Sequence, residues 1–348
     1  MKAKKILLFT FALMFACNLP QGSPTAPPAD NAEPPAPLLE PSPSAPAPTN
    51  PPPATPPVDG VTLGGCPVFP ANSYWNTPID TLPVHPDSDL WINDIGRGEG
   101  FHMDFGSGFW DGGPIGIPYN LGAASQTQFY NFSFYYADES DAALYPIVEN
   151  VAREHGRDHH ILTIETENCF LYEIYDASFD EGQWSGGSGA IWDLNSNALR
   201  PDEWTSADVA GLPILPGLVR YDEILSGEIR HALRFTAQRS AGYIWPARHP
   251  ISDFEKGVPP MGARFRLKAG YDISAFPREM QIILQAFKTY GILLADHGAS
   301  WYVSGAPDER WDNDMLHLLD VLQGEDFEAV DTSMMIVDEN SGEAKSGD

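Results

Sequence analysis

Residues 159–177, HHILTIETENCFLYEIYDA, carry the clearest structural signal in the chain. The β-branched run ILTIE, the polar turn TEN and the aromatic run CFLYEIYDA read as a β-hairpin. Outward from it, residues 126–137 (QTQFYNFSFYYA) and 227–238 (GEIRHALRFTAQ) show strand-like alternation. In the second of these, Ile229, His231, Leu233 and Phe235 fall on one face, and Arg230, Ala232, Arg234 and Thr236 on the other. Residues 264–271 (RFRLKAGY) predict another strand, and residues 292–295 with 301–304 a second hairpin. Helices are fewer. Met280, Ile283, Leu284 and Phe287 space an amphipathic helix over 277–290, with Gly291 suited to follow its C-cap. A second helix is predicted over 308–322 with Asp308 as N-cap, and a short third over 219–225. The expected fold is mostly β with a few helices, as a β-sandwich or jelly-roll-like core. A mixed α+β sheet is the alternative.

The chain has 348 residues, with Lys+Arg 20 against Asp+Glu 48 and a net charge of −28. Sixteen of the 33 prolines lie between Pro20 and Pro57, so residues 18–60 read as a disordered, partly polyproline tether. The acidity lies beyond that tether. An acidic surface repels phosphate backbones and anionic headgroups, which argues against nucleic acid or a basic membrane-docking face. Residues 61–330 contain no linker or repeat and are expected to form one domain, while residues 331–348 form an acidic tail expected to fray. Cys66 and Cys169 are expected either to form a disulfide pinning the domain's first segment to its core, or to remain two buried thiols.

The chain has no GxSxG, HExxH or Walker loop, and no GxGxxG in a βαβ setting. Its unusual stretch is 184–220, WSGGSGAIWDLNSNALRPDEWTSADVAGLPILPGLVR, long, irregular and rich in Trp, Asn, Asp and Arg. A sugar site needs flat apolar faces for the rings and planar donors and acceptors for the hydroxyls. Trp192, Asn197, Arg200, Trp204 and Arg220, with Arg234 and Arg248 from later segments, are therefore the expected substrate-binding residues. The plainer alternative makes the tryptophans core plugs. Glycoside hydrolysis needs two carboxyls, one of them with a raised pKa. Glu173 qualifies by its place in an aromatic strand, and Asp208 by its place in the irregular stretch. His231 and His249 complete the expected catalytic group. Glu173 as a buried salt-bridge partner and His231 as a core histidine are the competing structural readings. His159 and His160 point to opposite faces of a strand, while Asp296-His297 ends one and offers a carboxylate–imidazole pair at a loop. Zinc needs three or four converging ligands, and sequence alone does not show convergence, so a zinc site is a minor alternative and neither metal nor cofactor is expected.

Lys2, Lys4 and Lys5 followed by the short apolar run at 6–15 read as an export signal, too short to span a bilayer as a mature helix. The sequence LMFAC at 13–17 resembles a bacterial lipobox, which implies a lipoprotein-type signal over residues 1–17, cleaved before Cys17, and lipidation of that cysteine. Arg234 in RHALRFT and 268–271 in FRLKAGYD resemble strand motifs of jelly-roll alginate lyases, which implies an arginine neutralising a uronate carboxylate. FPANSYWNTPID, HMDFGSG, SGAIWDLNSNALRP, WTSADVAGLPILPGLVRYDE, RHALRFT, WPARH, PPMGARFRLKA and DERWDND resemble segments of a group of exported bacterial proteins of unassigned function. That resemblance implies one coherent exported domain and no stated activity. The expectation is a monomeric protein, lipid-anchored at the bacterial surface or outer membrane, acting on an extracellular glycan. Glycoside hydrolase comes first and polysaccharide lyase second; a non-catalytic carbohydrate-binding domain and a metal-assisted hydrolase are the alternatives. The acidity favours a neutral glycan over an anionic one.

Overall fold

The 159–177 hairpin is present in the computed structural model, which describes residues 60–346. Strand Ile161–Glu165 runs antiparallel to Phe170–Tyr175, with Ile164 opposite Leu171 and Leu162 opposite Glu173. The expected export signal at 1–17, Cys17 and all of the tether except Gly60 lie outside the described residues.

Strands make up 30% of the structure and helices 17%, a β-rich fold with few helices, as the alternation predicts. The hairpin belongs to a four-stranded sheet ordered Ser188–Asp193, Phe170–Tyr175, Ile161–Glu165, Tyr119–Gly122. All of Ile161–Glu165 is buried, including Thr163 and Glu165. A second four-stranded sheet contains Gln128–Phe134 and packs Phe132 and Tyr145 against Ile161 and Ile174 of the first. A six-stranded mixed sheet runs Phe327–Ala329, Arg264–Leu267, Ile292–His297, Leu233–Ala237, Tyr302–Ser304, His102–Asp104. Helix Arg278–Thr289 buries Met280, Ile283, Leu284 and Phe287, the predicted apolar face. Gly291 follows its C-cap at φ 69°, where an added Cβ would meet the Phe265 carbonyl oxygen at 2.2 Å.

Three expectations are corrected. Residues 292–295 and 301–304 do not pair as a hairpin, because Leu233–Ala237 lies between them and hydrogen-bonds to both. The helix expected over 308–322 starts later, at Asn313–Leu316, and continues as a 3₁₀ turn at His317–Val321. Its cap is Asp312, since the Asp308 carboxylate is taken by the Arg310 guanidinium. The acidic tail does not fray over its described part. Gly342 N–H donates to the Asn197 carbonyl at 2.6 Å, Tyr74 N–H to Gly342 at 2.9 Å, and Trp245 Nε1–H to Ser341 at 2.8 Å, so the backbone is paired despite its acidic side chains.

Cys66 and Cys169 form a disulfide with Cα atoms 5.3 Å apart, closing a sequence separation of 103 residues. Bridging a loop of that length removes chain entropy worth about 4.7 kcal/mol in the unfolded state. A disulfide is compatible with export, and among the described residues no helix is long and apolar enough to cross a membrane.

Candidate active site

Leu233–Ala237 and Ile292–His297 lie side by side and parallel, with Leu233, Phe235 and Ala237 turned into the core. Arg234 and Thr236 therefore face the other way. Arg234 pairs with Leu293 and Phe235 with Leu294, but Thr236 pairs with Asp296, leaving Ala295 as an extra residue. Because strand side chains alternate, that bulge moves Asp296 off the core face and onto the face of Arg234. The Arg234 guanidinium then donates to Asp296 Oδ2 at 2.7 Å, to Asp208 Oδ2 and Oδ1 at 2.7 and 2.9 Å, and to Ser304 Oγ at 2.6 Å.

Arg234, Asp296 and Ser304 line a cleft of about 420 Å³. Its walls come from the loop containing Glu154, Asp158 and His160, from Asp104 on the edge strand, and from Tyr302. Trp110, on the hairpin of Phe109–Trp110 and Gly113–Pro114, stands at the rim and is 76% exposed. Two further hollows adjoin it. One shares Asp158, Asp296 and His297 and adds Tyr136, Tyr175 and His249; the other shares Asp104, Trp110 and Tyr302 and adds His102 and His317.

Two of the acids that line the cleft, Asp296 and Glu154, are shifted in opposite directions. Burial pushes the Asp296 carboxyl up to about 8; the Asp208 charge adds to this, and Arg234 opposes it. Burial would also raise Glu154, but the imidazolium of His160 outweighs it and holds that carboxyl below its usual range. Burial would lower His160, yet the charge and hydrogen bond of Glu154 prevail and lift the imidazole to about 9. His160 bonds Glu154 Oε2 through Nδ1 and the Ala207 carbonyl at 3.0 Å through Nε2, so acceptors flank both nitrogens and the ring is held doubly protonated. Glu154 Oε1 has no hydrogen-bond partner among the described residues. The cleft therefore holds one carboxyl that burial pushes towards its protonated form and one that its imidazolium partner pushes towards its ionised form.

Of the four expected catalytic residues, the structure does not bring Glu173 and His231 to the cleft. Glu173 is fully buried and accepts the backbone N–H of Ile214 at 3.0 and 2.9 Å and that of Leu215 at 2.9 Å. Burial raises it to about 7 against those amide dipoles, but it faces protein on every side. His231 is 1% exposed and sits between Glu223 Oε1 at 2.8 Å and the Ala232 carbonyl at 2.8 Å. Asp208 lines the hollow beside the cleft, but both its oxygens hold Arg234, which makes it a positioning residue. His249 lines the same hollow, its Nδ1 bonded to the Val209 carbonyl at 3.0 Å.

Most of the expected sugar-binding residues are internal braces. Arg200 lies 5.6 Å from the Trp192 ring and 5.4 Å from Trp204, and donates to Asp141 at 2.6 Å and to the Thr205 and Glu139 carbonyls at 2.7 Å. Arg248 holds the Arg200 and Glu339 carbonyls, Arg220 those of Leu215 and Leu218, and Asn197 the side chain of Asn72. Arg234 alone of the expected arginines reaches the cleft. The 184–220 stretch contributes to the site through backbone: the Ala207 carbonyl holds His160, and Thr205 to Val209 line the adjoining hollow. The residues missed are Glu154, Asp104, Asp158, Trp110 and Tyr302. Asp296 was visible in the Asp296-His297 pair at a strand end.

Compared with protein-family models, curated proteins and solved structures, the chain finds no match.

Proposed function

We propose that the domain is a glycoside hydrolase acting on a neutral extracellular polysaccharide, with Asp296 as general acid and Glu154 as the charged partner. The observation that carries this reading is that two carboxyls line one cleft in environments that push them apart, burial raising Asp296 and the His160 imidazolium lowering Glu154. Asp296 donates its proton to the leaving glycosidic oxygen as the C1–O bond breaks. Glu154, through Oε1, either attacks C1 or takes a proton from the attacking water; retention or inversion of the anomeric configuration reports which. The exposed indole of Trp110 offers a flat apolar face for a sugar ring.

A lyase reading is weaker. Neutralising a uronate carboxylate needs a free cation, and the Arg234 guanidinium is already held by both oxygens of Asp208. Lys268, the other half of the lyase-like pattern, donates to the Glu325 carbonyl and is not among the cleft-lining residues. The acidic surface argues the same way, towards a neutral glycan. Lipidation at Cys17 and the Pro-rich tether, read from sequence, would hold this cleft away from a membrane surface.

The test is a panel of neutral and uronate polysaccharides scored for new reducing ends and for unsaturated products. Reducing ends from a neutral glycan, lost in Glu154→Gln and Asp296→Asn, are expected. Unsaturated products would make the protein a lyase. Retention on a glycan column with neither product would make it a binding module.

A further inference from the structure

At the far end of the Trp110 hollow, three side chains from distant parts of the chain converge. His102 comes from the edge strand His102–Asp104, and His317 and Asp320 from the 3₁₀ turn His317–Val321. A 3₁₀ helix has three residues per turn, so positions i and i+3 eclipse. His317 Nδ1 accordingly lies 2.9 Å from Asp320 Oδ2. His102 Nδ1 lies 3.9 Å from Asp320 Oδ1, and the three ligand-type atoms all fall within 4.8 Å of one another. The His102 backbone is set by the pairing of its strand with Tyr302–Ser304, and the Tyr302 ring sits 4.5 Å from its ring. Neither ring nitrogen of His102 has a hydrogen-bond partner among the described residues.

We propose that His102, His317 and Asp320 bind a divalent transition metal, with zinc the best chemical fit. Two imidazoles and one carboxylate are a zinc donor set, and softer or all-oxygen preferences are not served by it. Zinc–ligand bonds of about 2.0–2.1 Å in tetrahedral geometry place donor atoms about 3.3 Å apart. The 2.9 Å from His317 Nδ1 to Asp320 Oδ2 and the 3.9 Å from His102 Nδ1 to Asp320 Oδ1 lie on either side of that spacing, one to each oxygen of the carboxylate, and the donor atoms of the three residues fall within 4.8 Å of one another. The side chains are 34%, 58% and 41% exposed for His102, His317 and Asp320, so they can rotate the remaining distance and a metal can enter. Three protein ligands leave a fourth position for water. His102 and His317 both line the hollow of about 410 Å³ that contains Trp110, so the metal would cross-link that hollow's strand wall to its helical wall. The net charge of −28 raises the local concentration of cations. Nothing in this proposal depends on the glycosidase reading.

The test uses the tag-free full chain, stripped with a chelator and titrated with zinc chloride against a chromophoric competitor, with thermal unfolding in parallel. One equivalent bound at micromolar affinity or tighter is expected, with a rise in melting temperature. His102→Ala, His317→Ala and Asp320→Ala should each weaken zinc by about 100-fold or more and remove the zinc-dependent rise. Their metal-free melting temperatures should match the wild type, because all three residues are partly exposed. Zinc bound equally by the three variants, wild-type affinity weaker than millimolar, or preference for calcium over zinc would each overturn the proposal.

Discussion

In the 184–220 stretch, Arg200 directs its guanidinium at Asp141 and two carbonyls between two indole rings, and Glu173 receives two backbone amides from the end of the same stretch. On the cleft floor, Arg234 is tied just as firmly to Asp208 and Ser304, yet its third partner, Asp296, keeps a side facing open space. Glu173 and Asp296 make the contrast sharpest. Burial raises both carboxyls, to about 7 and about 8. Glu173 is enclosed by backbone and can only hold it; Asp296 has protein behind and a cleft in front. A shifted pKa thus marks a desolvated group, and access decides whether the shift can serve chemistry.

The comparison breaks most visibly in turnover. Glu154→Gln and Asp296→Asn should each lower kcat per folded molecule by about 10²–10⁴-fold on the active polysaccharide, and Glu154→Gln should also lower the melting temperature, because the buried His160 loses its counter-charge. A cleft variant that melted early and kept its turnover would place these acids with Glu173 as braces. Next in size is the disulfide. Replacing Cys66 and Cys169 by Ser should cost about 2–5 kcal/mol in denaturant unfolding and leave turnover by the folded fraction unchanged.

Glu173→Gln should cost about 1–3 kcal/mol, because an amide NH₂ replaces one acceptor facing the Ile214 and Leu215 amides. Turnover per folded molecule should stay at the wild-type level. Its pH signature also has a sign. Native Glu173 keeps its proton up to about 7, while an unfolded glutamate releases it near 4.3. The native state then binds more protons across that window, so this contribution to stability falls as pH rises through it, and the Gln variant lacks the fall. The smallest effect is expected for Trp110→Ala. Its side chain is 76% exposed, so stability should not move, and KM should rise by about 5–10-fold for loss of one ring contact.

The hairpin at 159–177, the Arg264 strand and the helix ending before Gly291 were legible because each is a local signal, a short β-branched or aromatic run for the strands and apolar residues at period 3.6 for the helix. The disulfide was legible as one of two alternatives. The cleft was legible only in pieces. Arg234 followed from strand alternation and Asp296 from its place at a strand end, but the bulge at Ala295 that joins them has no local signature. Glu154 lies in a loop without periodicity, and its meaning comes from His160 six residues on. The Trp and Arg of 184–220 misled because the composition that suits a sugar site also suits a buried cation–π brace, and only burial tells them apart. The tail was misread from its charge, since its holding bonds come from backbone.

The most direct test is the pH dependence of kcat/KM on the active polysaccharide, measured for wild type and Glu173→Gln. A bell-shaped profile with a basic limb near pH 8, carried by Asp296 and unchanged in Glu173→Gln, is predicted. A basic limb that disappears in Glu173→Gln would put the proton donor in the protein interior and contradict the assignment of the cleft.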